Sequence, residues 1–171
     1  MNPATLDHNQ FPWYAVHVRA QYEKRVADAL TAKGYDCLLP SYRERRKWSD
    51  RTRVLDLPLF PGYVFSRFGV DVRLPIMTIP GVVGIVGIGK TPQPLDPREI
   101  EQIRRVTSAG HPAKPWPFLK VGQRVRITAG ALTGVEGLLV QRRGETRVVL
   151  SVTLLQKAIS VQVDSDAVRP I

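Results

Sequence analysis

Three prolines fall within the seven residues His111-Pro-Ala-Lys-Pro-Trp-Pro117, and no other feature constrains the fold of this 171-residue chain as strongly. Each proline fixes φ and removes a backbone donor, so neither a helix nor an interior strand runs through such a segment. An extended spacer remains. The chain therefore reads as two modules, residues 11–110 and 119–171, joined by a proline-rich linker at 111–118.

The two modules carry different periodicities. In the first, Trp13-Tyr-Ala-Val-His-Val18 has the aromatic and β-branched content of a strand. Ala20 to Lys33 places Tyr22, Val26, Ala29 and Leu30 on one helical face, and Gly34 follows as a stop. Leu57 to Phe68 and Val82 to Val86 are further strand regions. Asp96-Pro-Arg-Glu99 supplies an N-cap, a first-turn proline and a capping-box carboxylate for a helix buried through Ile100, Ile103 and Val106. This alternation predicts an α/β sandwich, helices packed on a sheet. In the second module, Arg124–Thr128, Thr146–Thr153 and Ala158–Val163 alternate between Gly130, Gly134, Gly137 and Gly144. Five short strands in so few residues are best closed into a small barrel, which hides their edges. The fold class is α+β.

Charge narrows the partner. Lysine and arginine exceed aspartate and glutamate by 10, an excess suited to a polyanion such as nucleic acid. Both modules share it, with 16 basic and 11 acidic residues in 1–110 and 8 and 4 in 119–171. No apolar run approaches the ~18 residues of a membrane helix. Met1 to Gln10 lacks the features of a signal peptide and reads as a disordered tail. The single cysteine, Cys37, forms no internal disulfide and fits a reducing cytoplasm. Its apolar surroundings make it a core residue.

Three motifs bear on chemistry. Gly84-Ile-Val-Gly-Ile-Gly89-Lys90-Thr91 spells a phosphate loop, yet Pro92-Gln-Pro94 blocks the helix whose N-terminus would bind phosphate. It reads as a glycine-rich strand and turn. His8, His17, His111 and Cys37 have no metal-ligand spacing, and no nucleophile elbow or carboxylate pair is visible. No catalytic residue, metal or cofactor is expected. Arg43 to Arg53 carries six basic and two acidic residues around Trp48. A charge run is more often a solvated hairpin than a site, but this one projects between strand regions with charge of nearly one sign. Arg45, Arg46, Lys47 and Arg51 suit phosphates, and Trp48 an unstacked base. Finally, Leu59-Phe60-Pro61-Gly62-Tyr63-Val64-Phe65 reads as a turn between aromatics, with some side chains in the core and others open to a partner helix.

Taken in order, Trp13-Tyr14, Leu59-Phe-Pro-Gly-Tyr-Val64, Pro80-Gly-Val-Val83 and, past the prolines, Gly122-Gln-Arg-Val-Arg-Ile-Thr-Ala-Gly-Ala-Leu-Thr-Gly-Val-Glu-Gly137 resemble the NusG family of transcription elongation and antitermination factors across nearly the whole chain. The resemblance implies an N-terminal NGN sandwich, with an antiparallel sheet flanked by helices, and a C-terminal SH3-like KOW barrel of five strands. It implies a bacterial, cytoplasmic, monomeric protein that binds the clamp helices of the largest RNA polymerase subunit. Phe60, Pro61, Gly62 and Tyr63 match that docking segment. The KOW loop bearing Leu132, Val135 and Glu136 would recruit a small-subunit ribosomal protein or Rho. Housekeeping members commonly carry a bulky aromatic near the position of Val135, and this chain departs from them there.

Arg19, Lys24 and Arg25, at the start of the first helix, match the region that RfaH-like members turn to the non-template DNA strand. Arg45-Arg-Lys-Trp-Ser-Asp50 and Ser151-Val-Thr-Leu-Leu-Gln156 resemble UpxY-like antiterminators. A specialised, operon-specific antiterminator is therefore expected, with a housekeeping factor as the alternative and an RNA-binding ribosomal or translation protein more remote. The β-branched run Val148–Thr153 argues for a barrel that does not switch to helix.

Overall fold

The structure is a computed structural model that describes residues 10–171. The expected tail lies almost wholly outside them. The described chain forms two compact units, one from the residues up to Leu39 with Pro61–Pro97, the other from Pro40–Phe60 with Arg98–Ile171.

The first unit holds β1 (Trp13–Val18), α1 (Glu23–Ala32), β2 (Asp36–Leu38), and, after an excursion through the other unit, β5 (Tyr63–Arg67), α2 (Arg73–Met77) and β6 (Val82–Ile85). The strands make an antiparallel sheet in the order β2-β5-β1-β6. Alternation along β1 sends Tyr14, Val16 and Val18 to one face. There they pack with Val26 and Leu30 of α1, Val64 and Phe68, and Ile76 of α2. The expected helical face is thus the one that is buried, and α1 starts only at Glu23, after Gln21 takes a left-handed φ of 68°. On the other face Trp13, Ala15 and Phe65 are buried too, and the Arg67 guanidinium lies 4.7 Å from the centre of the Trp13 ring. β7 (Gly87–Ile88) and β8 (Thr91–Pro92) form a small hairpin from the phosphate-loop-like sequence, and no helix begins until Pro97. A turn is what the glycines there build.

The second unit opens with a long hairpin, β3 (Ser41–Trp48) against β4 (Arg51–Pro58). It then takes in α3 (Pro97–Ser108), whose Ile100, Ile103 and Val106 are buried as the stripe predicts. β9 (Ala113–Trp116), β10 (Arg124–Ile127), β11 (Glu136–Arg142), β12 (Glu145–Val152), β13 (Lys157–Val163) and β14 (Val168–Pro170) form one antiparallel sheet in the order β14-β10-β11-β12-β13-β9. This is the multi-stranded β module expected after the seam, with one strand more than the sequence suggested.

The extra strand is the proline seam. Ala113 to Trp116 pairs with Val161 to Ala158, and Pro115 stands opposite Ile159. The extended backbone that proline imposes is compatible with a sheet edge, where a missing N–H costs least.

Candidate functional site

Of the expected docking segment, Phe60 is only 1% exposed, whereas Pro61 is exposed and Gly62 and Tyr63 are half-buried. Phe60 is therefore a core residue, and Pro61 to Tyr63 present the surface. Gly62 has φ of +87°, a left-handed conformation that glycine adopts without strain. Its carbonyl accepts the Val18 N–H at 2.8 Å, and its own N–H donates to Oε1 of Glu23 at 3.1 Å. Tyr63 stands opposite His17 in the β1–β5 register, and their rings stack with centroids 5.3 Å apart and planes 27° from parallel. The His17 side is exposed. The result is an aromatic platform pinned to β1 and to the first turn of α1.

Arg19, Lys24 and Arg25 are exposed at that same end of α1, with the Arg25 guanidinium 5.3 Å from the centre of the Tyr22 ring. They lie in the first unit together with Tyr63.

In the β3–β4 hairpin, Arg45, Arg46, Lys47, Trp48 and Arg51 are all exposed, Trp48 to 61%. Pairing runs from Ser41 opposite Pro58 to Trp48 opposite Arg51. Because successive side chains change faces, Tyr42, Glu44, Arg46 and Trp48 share one face with Leu57, Leu55, Arg53 and Arg51. That face is half-buried at its base, where Tyr42, Leu55 and Leu57 lie, and basic with one indole at its tip. Arg45 and Lys47 point to the other face with Arg43, which pairs with Asp56 at 3.5 Å. The hairpin thus offers the expected cations on two faces, and joins Trp48 to Arg46, Arg51 and Arg53 only.

In the barrel loop, Leu132 and Val135 are buried, at 2% and 0% exposure, and Glu136 is half-buried. The carboxylate of Glu136 accepts from Arg126 Nη2 at 2.6 Å and lies 3.5 Å from Arg124 Nη2. The polar face of α3 meets this loop and the segment that follows β12. Gln102 Oε1 accepts the Glu136 N–H, Arg105 donates to the Thr133 carbonyl, and Glu99 accepts from Thr153 N and Oγ1. Beside Leu132 a cleft of about 400 Å³ opens between His111, Pro112, Gln162 and Asp164. The two buried aliphatic residues shape the loop, and Glu136 is the one of the three with polar atoms at its surface.

Sequence reasoning missed Glu23, His17 and Arg53. Glu23 reads as an ordinary first-turn acid of a helix, and its partner lies 39 residues away. His17 and Arg53 acquire meaning only through strand register. Cys37 is half-buried, and burial first, with the Asp28 charge second, pushes its thiol up to about 12. Among the described residues, no group of three or more His, Cys, Asp or Glu is placed to hold a metal ion, and no helix is long and apolar enough to cross a membrane.

Comparison with known proteins bears on the family. The family model described as transcription termination factor NusG matches residues 11–104. The transcription termination/antitermination protein NusG of Thermus thermophilus is 29% identical over 176 residues, covering 89% of this chain and 94% of its own length. Its namesake from Helicobacter pylori is 30% identical over 131 residues, covering 69% of this chain and 74% of its own. A solved structure described as domain interaction in Thermotoga maritima NusG superposes with a TM-score of 0.58 at 24% identity, covering 96% of this chain and 99% of that one. A platform on the β1–β5 pair, a basic hairpin and a C-terminal β module thus occur in a sequence that matches one family nearly end to end, and the chain belongs to the NusG family.

Proposed function

We propose that this protein is a transcription elongation and antitermination factor that docks RNA polymerase through the turn Pro61-Gly62-Tyr63. The carrying observation is that turn: an aromatic platform, Tyr63 on His17, left half open at the surface. An aromatic that is half open and already ordered suits the groove of a partner helix, because little side-chain freedom is lost on binding. The clamp helices of the largest polymerase subunit are the partner that the family resemblance implies. Residues 11–110 form the polymerase module, 111–118 the joint and 119–171 the module that recruits a small-subunit ribosomal protein or Rho at the Leu132–Glu136 loop. The protein performs no chemistry of its own. It binds the active conformer of polymerase more tightly than paused conformers and so depopulates the latter.

Further contacts, to the exposed non-template strand, use Arg19, Lys24 and Arg25 of the first unit and, separately, the hairpin residues Arg45, Arg46, Lys47, Trp48 and Arg51 of the second. The density of cations around one exposed indole favours an operon-specific antiterminator over a housekeeping factor. Single-round transcription with added protein, on templates with and without candidate leader sequences, tests both levels. A pause or termination change confined to one leader supports the specialist, and the same change on every template supports the general factor. No change on any template, with polymerase binding absent as well, overturns the proposal.

A further inference from the structure

We infer that Glu23 is a positioning residue for the polymerase-docking turn, acting through its hydrogen bond to the Gly62 N–H; the inference rests on the docking reading given above. Glu23 is a carboxylate at 7% exposure in the first turn of α1. A buried carboxylate needs charge-assisted hydrogen bonds to offset its lost hydration. Glu23 directs Oε1 to the amide of Gly62, 3.1 Å away, in a different element.

The position of that amide decides what the bond does. Gly62 lies directly before Tyr63, at φ of +87°, where the chain turns into β5. Its carbonyl is already held by Val18 N. With Glu23 on the amide and Val18 on the carbonyl, both polar groups of the one residue with unrestricted φ are fixed. Glycine is the residue with most freedom to lose, so an unheld Gly62 would let the turn sample many conformations. Tyr63 keeps its place on the His17 ring only if the preceding peptide is held. The same carboxylate opens the helix whose first turn also carries Lys24 and Arg25, so the docking turn and the basic end of α1 are joined by one bond.

A plainer role for Glu23 exists: an acidic residue in a first helical turn interacts favourably with the helix dipole. Two variants separate the roles. Glu23→Gln keeps the length and the acceptor oxygen but removes the charge. Glu23→Asp keeps the charge near the helix N-terminus but withdraws the acceptor by one methylene. Positioning predicts that Gln is tolerated and Asp is not; a dipole role predicts the reverse.

The experiment uses the full chain, with Tyr63→Ala as reference. Two quantities are read: amide exchange at Gly62 in the free protein, and affinity for bacterial core RNA polymerase. Glu23→Asp should raise Gly62 exchange and weaken polymerase binding by roughly tenfold or more, the scale of one charge-assisted hydrogen bond. Glu23→Gln should stay within about threefold of wild type in affinity. The His17 ring resonances should shift in Glu23→Asp, as the Tyr63 ring leaves its stack. If Glu23→Asp matches wild type in Gly62 exchange, or if Glu23→Gln is the more damaging of the two, the inference is overturned. If Tyr63→Ala loses affinity while both Glu23 variants keep it, the inference alone fails. If Tyr63→Ala binds as tightly as wild type, the docking reading fails and the inference with it.

Discussion

Arg46 stands directly opposite Arg53 across the β3–β4 hairpin, a like-charge pair at the centre of the face that carries Trp48. Like charges in register oppose the pairing of their strands. Glu44 offsets part of this, with Oε2 3.1 Å from the Arg46 Nε. Arg53→Thr should therefore leave the free protein as stable or raise its stability by a few tenths of a kcal/mol. It should also weaken single-stranded DNA binding and lower the salt slope by about one unit. Thermal melts and a salt titration of binding check both halves. An affinity unchanged from wild type would remove Arg53 from the contact.

Trp48 offers a complementary test on the same face. At 61% exposure it contributes little to packing, so Trp48→Ala should leave the melting temperature unchanged. A stacked base is worth roughly 1–3 kcal/mol, and single-stranded DNA affinity should fall by about that much, whereas duplex affinity should not. Equal losses on both would mean that the indole does not stack on a base.

The proline seam makes a stability prediction. A fragment starting at His111 keeps β9 on β13, and one starting at Phe118 does not. The shorter fragment exposes the backbone groups of Ala158–Val161 and removes Trp116, whose ring centre lies 5.3 Å from the Arg147 guanidinium. It should melt several degrees lower, at roughly 4–8 °C per kcal/mol lost in a domain of this size. Both fragments should give strand-type circular dichroism. Equal melting temperatures would show that the seam is passive, and a mainly helical spectrum would contradict the β module itself.

Gly137 is a glycine for want of space. A Cβ there would overlap the Val149 carbonyl oxygen and lie 2.7 Å from Cγ1 of Val148, with no flexible side-chain end to give way. Gly137→Ala should cost roughly 2–3 kcal/mol and lower the melting temperature by roughly 5–10 °C. Calorimetry decides, and a neutral outcome would mean that β11 and β12 separate more easily than their register suggests.

Cys37 should be inert. Burial, with Asp28 adding to it, pushes the thiol up to about 12, so the reactive thiolate is scarce at neutral pH. Alkylation at pH 8 should be slow in the native protein and fast in denaturant. The unfolded thiol, with an ordinary value of 9.0, ionises first. Cys37 therefore favours the fold fully below pH 9 and ceases to do so as pH rises towards 12. Fast native labelling would place Cys37 at a more open site than its burial indicates.

What the sequence determined by itself was whatever depends on near neighbours. The prolines at 112, 115 and 117, the period of Val26 and Leu30, and the Asp96–Pro97 start of α3 each act within a few residues, where steric and capping rules operate. The motif order was enough for the family. Tertiary structure decided everything that depends on register or on contacts distant in sequence. Phe60 and Tyr63 have equal claims in the sequence, and packing buries one and leaves the other half open. The seam predicts extended backbone, but only the neighbouring β13 makes it a strand. Arg46 acquires Arg53 through the register of one hairpin, and Gly62 acquires Glu23 from 39 residues away, and composition carries no record of which residue will be opposite which.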